Sequence, residues 1–174
     1  MLNIYINTWG NYNENGADLG EWITLPMDAD ELQEKLDEIA ERMHDDDPEW
    51  FVNDYEWTGD VALFDVNEMD RYEDLNEIAE RLDNLDQYEC EALAAIVEVN
   101  GWNNGDALDI LESGDFQFYV GMDLTDVAEE IVNGCYFSKD TPDIFIQYFD
   151  YEAFGRDLSF DGYTETAHGV ICIG

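Results

Sequence analysis

A chain of 174 residues with 44 Asp and Glu against six Lys and Arg, for a formal charge of -38, excludes nucleic acid and anionic membrane as partners and points to a basic protein. Its 45% hydrophobic and 14% aromatic content excludes a disordered acidic chain, so the charge must lie on the outside of a folded core. That length fits one sizeable domain or two or three small ones.

In chain order, LNIYIN (2–7) and EWITLP (21–26) read as strands of a hairpin, joined by the turn-rich loop NYNENGADLG. DADELQEKLDEIAERM (28–43) places Leu32, Leu36, Ile39 and Met43 on one helical face and its acids on the other. DDDPEW breaks that helix, FVNDYE and DVALFDV return as strand material, and an α+β unit closes near residue 65. From 70 to 112 the spacing is helical: YEDLNEIAERLDNL turns Tyr72, Leu75, Ile78, Ala79, Leu82 and Leu85 inward, and CEALAAIVEV continues as a more buried helix that ends at GWNNG. FQFYV (116–120) is a strand, and DLTDVAEEIVNG is a third acidic helix closing on a left-handed Gly134. TPDIFIQYFDYEAFG is a helix with Thr141 as N-cap, Pro142 in its first turn and Gly155 as its stop; the tail through DGYTETAHGVICI is a last hairpin. The fold class expected is therefore α+β.

LDEIAER (36–42), LNEIAER (75–81) and LTDVAEE (124–130) share a core pattern, but their unequal offsets argue against a true repeat. Acidic amphipathic helices draw on a short list of good formers, so Leu, Glu, Ile and Ala recur. No apolar run reaches the ~18–20 residues of a membrane span, and MLNIYINTWG lacks the basic and apolar regions of a signal peptide, so the cytoplasm is the expected compartment. Cys90, Cys135 and Cys172 form no CxxC pair and are expected as reduced, partly buried thiols.

Catalytic chemistry is poorly supplied. Ser113, Ser138 and Ser159 sit in no GxSxG elbow, His44 and His168 are the only histidines, and His168 beside a strand reads as structural. Phosphate-loop, dinucleotide and HExxH patterns are absent, so no enzymatic role and no cofactor are expected. Paired carboxylates are too abundant here to single out a glycosidase pair. A calcium-dependent binding module is an alternative, because NYNENGADLGEW puts Asn11, Asn13, Asn15 and Gly16 at the first, third, fifth and sixth places of a calcium loop. Its twelfth place is Trp22, where a bidentate Glu belongs.

The acidic surface itself has the charge of a duplex. At one charge per ~1.7 Å of axis, the -38 of one chain corresponds to ~65 Å of B-DNA, or about 19 base pairs. A compact globule of this length is only about 40 Å across. Helix residues four apart lie ~6 Å apart along the axis, near two ~3.4 Å phosphate steps along one strand, so a row such as Asp30, Glu34, Asp37 and Glu41 can imitate phosphates.

In IYINTWGNYNENGADLGEWITLPMD, the residues Tyr5, Gly10, Tyr12, Asn13, Glu14, Gly20, Trp22, Thr24, Pro26 and Asp28 form an ordered block, and DVAEEIV, YFDYEAFGRDL and HGVI form others near the C-terminus. Through these blocks the sequence resembles the ArdA-type antirestriction proteins nearly end to end. Roughly 60–112 matches only in being acidic and helical. The resemblance implies an elongated, curved chain of three small domains (1–65 α+β, 66–112 mainly helical, 113–174 α+β with the dimer interface) that imitates bent B-DNA. Such proteins are carried by mobile elements and occupy the DNA-binding groove of Type I restriction-modification enzymes, blocking restriction and, to a varying degree, methylation. A dimer's 76 charges would match ~130 Å of duplex. A DNA mimic aimed at another basic defence or nucleoid protein is the near alternative.

On that reading the phosphate-mimicking acids are Asp30, Glu34, Asp37, Glu41, Glu73, Glu77, Glu80, Asp83, Asp126, Glu129 and Glu130. Residues of the QYFDYEAFGRDL block, Tyr148, Phe149, Asp150, Tyr151, Phe154, Gly155, Arg156 and Asp157, are expected to serve dimerisation or structure. Arg156, placed off the mimic face and just past a Gly155 helix stop, would cap helix carbonyls or pair with Asp150 or Asp157, within a subunit or across the dimer.

Overall fold

The computed structural model describes residues 1–58, 63–102 and 106–174, which form an α+β protein of two compact units, Met1–Leu85 and Asp86–Gly174. The segment expected as a middle domain is divided between them: its first helix packs in the first unit and its later helices in the second.

The first unit is built on strands β1 (Leu2–Thr8), β2 (Glu21–Leu25) and β3 (Trp50–Trp57), in antiparallel order β2-β1-β3. Alternation in β1 and β2 sends Leu2, Ile4, Ile6, Ile23 and Leu25 to one face. Helix α2 (Ala29–Met43) covers that face with Leu32, Leu36, Ile39 and Met43, as its spacing predicts. Each fully buried Leu or Ile contributes about 1.5–3 kcal/mol. Asp28 caps α2 by accepting from the Asp30 N–H at 2.9 Å, and left-handed His44 ends it. Helix α3 (Tyr72–Asp83) adds Leu75 and Ala79 to the same core.

Two expectations for this unit need correction. The loop after β1 opens with a helix, α1 (Trp9–Asn15). Thr8 caps it, its Oγ1 accepting from the Asn11 N–H at 3.1 Å, while the buried Asn7 Oδ1 accepts from Asn11 Nδ2 at 2.8 Å. Local asparagine hydrogen bonds thus stabilise a helix where the composition suggested a turn. Of DVALFDV, residues 60–62 lie outside the described residues, and the described remainder is not strand.

In the second unit, α4 (Gln87–Asn100) is capped reciprocally by Asp86 and Glu89 and followed by α5 (Asp106–Ser113). Residues 103–105 of the expected helix-ending GWNNG lie outside the described residues, and Gly101 is the observed C-cap of α4. Strands β4 (Phe116–Val120), β5 (Tyr163–Thr166) and β6 (Gly169–Ile173) form a sheet of order β4-β6-β5, with β5 and β6 as the expected terminal hairpin. Consecutive residues Val170 and Ile171 of β6 are both buried, so this sheet is covered on both faces. Val170 packs with Val127 of α6 (Leu124–Ile131) and Leu158 of α8 (Tyr151–Leu158). On the other face Ile171 pairs with Phe118, whose ring lies 5.8 Å from that of Tyr88 in α4.

The expected helix stops of the second unit also need correction. Gly134 is not a left-handed cap: α6 runs on through a π-helical turn, Val132–Tyr136, that contains it. The TPDIFIQYFDYEAFG segment makes two helices, α7 (Asp143–Gln147) with Pro142 at its N-cap, and α8, capped by Asp150. Gly155 sits inside α8, buried against α6, where an added Cβ would fall 2.5 Å from the Leu124 carbonyl oxygen. It is glycine because two helices touch there. Arg156 accordingly lies within α8, exposed, and among the described residues it forms no ion pair with Asp150 or Asp157. The three cysteines are free, but Cys90 and Cys135 are exposed instead of partly buried.

Candidate functional site

Two surfaces stand out, one in each unit. In the first, the aliphatic stripe of α2 fixes its outer face, and Asp30, Glu34, Asp37 and Glu41 are all exposed there. From Asp30 to Glu41 the row spans ~16 Å at 1.5 Å per residue, about five phosphate steps along one DNA strand. The cations of this helix are held elsewhere. Lys35 forms an ion pair with Glu21 of β2, and Arg42 Nη2 lies 2.7 Å from Glu21 Oε2 and donates to the Leu19 carbonyl at 3.2 Å. Lys35 and Arg42 hold the Glu21 carboxyl below its ordinary pKa, and Glu21 raises that of Lys35. One carboxylate of the sheet thereby binds both positive charges of a helix whose outer row is acidic.

On α3, Glu77, Glu80 and Asp83 are exposed, whereas Glu73 is half-buried and sits 3.4 Å from Arg71. The structure brings Glu73, Glu77, Glu80 and Asp83 together with Asp28 around a cleft of about 900 Å³ between α2 and α3, floored by Leu32 and Leu36. On α6, Glu129 and Glu130 are exposed; Asp126 is exposed too, but its carboxylate accepts from the Asp123 N–H at 3.4 Å and so serves as a helix cap. Asp37 similarly accepts from Gln33 Nε2 at 2.8 Å.

The surface of the second unit is aromatic. Phe149 lies 5.5 Å from Phe137, 4.9 Å from Tyr151 and 5.9 Å from Phe154, which joins the core beneath α6 and α8. The π-helical turn carries Tyr136 to this cluster, 6.2 Å from Phe154. Around them Ile144, Phe145 and Tyr148 are 56%, 64% and 76% exposed, bordering an open hollow of about 650 Å³. Asp150, the N-cap, accepts from the Ala153 N–H at 2.9 Å, and Asp157 is exposed. The QYFDYEAFGRDL residues therefore divide: Phe149, Tyr151, Phe154 and Gly155 pack the unit, Asp150 caps it, and Tyr148 faces outward. Ile144, Phe145 and Tyr136, absent from the sequence-based set, share this surface; the apolar run DIFIQYF in so acidic a chain was the available signal.

The calcium-loop resemblance does not survive the local geometry. Asn11 is buried, its Nδ2 donates to the Asp18 carbonyl at 2.6 Å, and its Oδ1 accepts from Asn15 Nδ2 at 3.0 Å. These side chains hold α1 and the loop after it in place. His168 lies in the β5–β6 turn, its carbonyl accepting from the Gly121 N–H at 2.9 Å. Among the described residues no group of three or more His, Cys, Asp or Glu is placed to hold a metal, and no helix is long and apolar enough to cross a membrane.

The curated proteins yield no match to this chain. A family model described as antirestriction protein (ArdA) matches residues 4–172. Matched over nearly its whole length, the chain belongs to the ArdA antirestriction protein family, a family of inhibitors and not of known enzymes.

Proposed function

We propose that this protein blocks restriction as an acidic mimic of B-DNA, occupying the DNA-binding groove of a Type I restriction-modification enzyme as a homodimer in the cytoplasm of a bacterial host. An antirestriction family implies a restriction-modification partner, and such an enzyme must hold DNA with Lys and Arg. The observation that carries the reading is on α2: the row Asp30, Glu34, Asp37 and Glu41 is exposed, while Lys35 and Arg42 of the same helix are drawn to Glu21. The outer row thus presents negative charge at phosphate-like spacing without cations between its members. The acids around the α2–α3 cleft and those of α6 extend the same chemistry.

Mechanism requires no bond to be made or broken. Carboxylates replace phosphates against the enzyme's basic groups, affinity accumulates over many modest contacts, and the field of -38 charges per chain steers the encounter. Self-association is supported by the open hollow bordered by Ile144, Phe145 and Tyr148, since exposed apolar patches of this kind mark protein interaction sites. Doubling the chain doubles the length of duplex the charge can imitate.

The test is competition on a purified Type I enzyme. The protein should raise the DNA concentration needed for cleavage, and labelled DNA should leave the enzyme as the protein binds. Retention of DNA and protein together on one enzyme molecule contradicts the mimicry. Inhibition absent from Type I enzymes but present with another basic DNA-binding protein moves the target and keeps the mechanism.

A further inference from the structure

The two sheets differ in a way that points to a second contact surface. The sheet of the second unit is covered on both faces, whereas β1 of the first unit buries alternate residues over Leu2–Ile6 and leaves its other face open. A β-bulge between Tyr5 and Ile6 sharpens this contrast. Val52 pairs with Ile6 and Asp54 with Tyr5, so Asn53 is the extra residue, and the parity of β3 shifts there. Val52 stays in the core, and Asp54 and Glu56 turn outward.

The open face is therefore two short rows across three strands. Trp22, Tyr5 and Asp54 form one; Thr24, Asn3 and Glu56 form the other. Trp22 is 46% exposed, with its ring 5.3 Å from that of Tyr5. The pair is held before any partner arrives: the Tyr5 hydroxyl donates to the Ala17 carbonyl at 2.8 Å, and the ring lies so close to Gly20 that an added Cβ would fall 2.6 Å from it. Alternation along β2 sends the neighbouring Glu21 to Lys35 and Arg42 of α2, and Trp22 to solvent. Thr24 donates to Asn3 Oδ1 at 2.7 Å, leaving the aromatic pair and the two carboxylates as the groups open to a ligand. Asp54 accepts from the Tyr55 N–H through one oxygen.

We propose that this face receives an arginine-bearing segment of the basic partner protein, the guanidinium stacking on the Tyr5–Trp22 pair with Asp54 and Glu56 beside it. The inference rests on the mimic reading above and names a part of its contact surface that carboxylate rows alone would not supply. Charge decides the occupant: an aromatic pair flanked by acids on a chain of charge -38 attracts cations and repels acidic or nucleic-acid ligands. Arginine is preferred to lysine because its planar, weakly hydrated guanidinium both stacks on an aromatic face and bonds carboxylates through paired N–H groups.

The experiment titrates the full-length protein, with ¹⁵N-labelled tryptophan indoles, against an eight-residue arginine peptide and an eight-residue lysine peptide. The resonance assigned to Trp22 by its loss in Trp22→Phe should shift with the arginine peptide more than with the lysine peptide. Trp22→Ala should weaken arginine-peptide binding about threefold to tenfold and lysine-peptide binding less than twofold, with Trp22→Phe between wild type and Ala. Asp54→Asn, at an exposed position, should reduce the same preference without touching the ring. Equal losses for both peptides, or a Trp22 signal that ignores arginine, overturn the proposal. If that happens while wild-type protein still displaces DNA from the enzyme, only the sheet-face assignment fails. If Trp22 answers to arginine but DNA is not displaced, the mimic reading fails and the guanidinium site stands.

Discussion

The α2 surface of the first unit and the α7–α8 surface of the second solve opposite problems with similar raw material. Around α2 an aliphatic stripe is buried, and the charged groups outside it are carboxylates and two cations bound to Glu21. Around α7 and α8 the helices bury part of an aromatic cluster and leave Phe145 and Tyr148 exposed. The first surface is suited to a partner met through charge, the second to one met through apolar area. A protein with so much self-repulsion can associate with its own copy only where apolar contact outweighs charge, and α7 is where apolar residues are concentrated.

Disrupting the second surface should change the protein most. Phe145→Asp combined with Tyr148→Asp should weaken self-association at least about 100-fold, as loss of central aromatic anchors does, measured by analytical ultracentrifugation; an unchanged dimer would place the interface elsewhere. Next, Gly155→Ala drives a methyl toward the Leu124 carbonyl and should destabilise the second unit by about 1–3 kcal/mol in denaturant unfolding. The first unit's hydrogen-exchange protection should stay as it was. A Gly155→Ala protein of wild-type stability would refute the close α6–α8 contact.

Reversing Glu34, Asp37 and Glu41 to Lys should weaken binding to the restriction enzyme by about tenfold or more, since each exposed charge contributes only a modest share, and should leave self-association intact. Loss of both properties together would merge the two surfaces. A smaller effect belongs to Glu21. Its pKa in the folded protein lies below the ordinary 4.5, so its contribution is present above that value and is lost as pH falls through the lower folded pKa. Glu21→Gln should remove this acid-side dependence and lower stability by less than about 1 kcal/mol. Smallest of all, Glu34→Gln alone should change enzyme binding less than about twofold.

What was legible in the sequence follows from what periodicity encodes. Leu32, Leu36, Ile39 and Met43 announce α2 and hence its acidic outer row, because one face of a helix fixes the other. Alternation announces β1, β2 and the terminal hairpin. Specific side-chain and backbone contacts, near or far along the chain, were not legible. Gly155 looks like a helix stop until α6 is seen against it, and Gly134 looks like a cap until the π-helical turn carries the chain past it. Asn11 and Asn15 look like loop formers until the Asn11 side chain is seen bonded to both Asn7 and Asn15. The open face of Trp22 was in principle readable from the alternation of EWITL, but the shift that turns Asp54 toward it depends on a bulge that no local pattern marks.

The acidic and aromatic surfaces are best separated by the salt dependence of two equilibria measured on the same protein, binding to a Type I restriction-modification enzyme and self-association. Binding to the enzyme should weaken steeply and progressively as salt rises, with association slowing most, while the dimer holds or tightens as its self-repulsion is screened. Enzyme binding that persists unchanged in high salt, or a dimer that falls apart in parallel with it, would contradict the division into an acidic surface for the partner and an aromatic surface for the second copy.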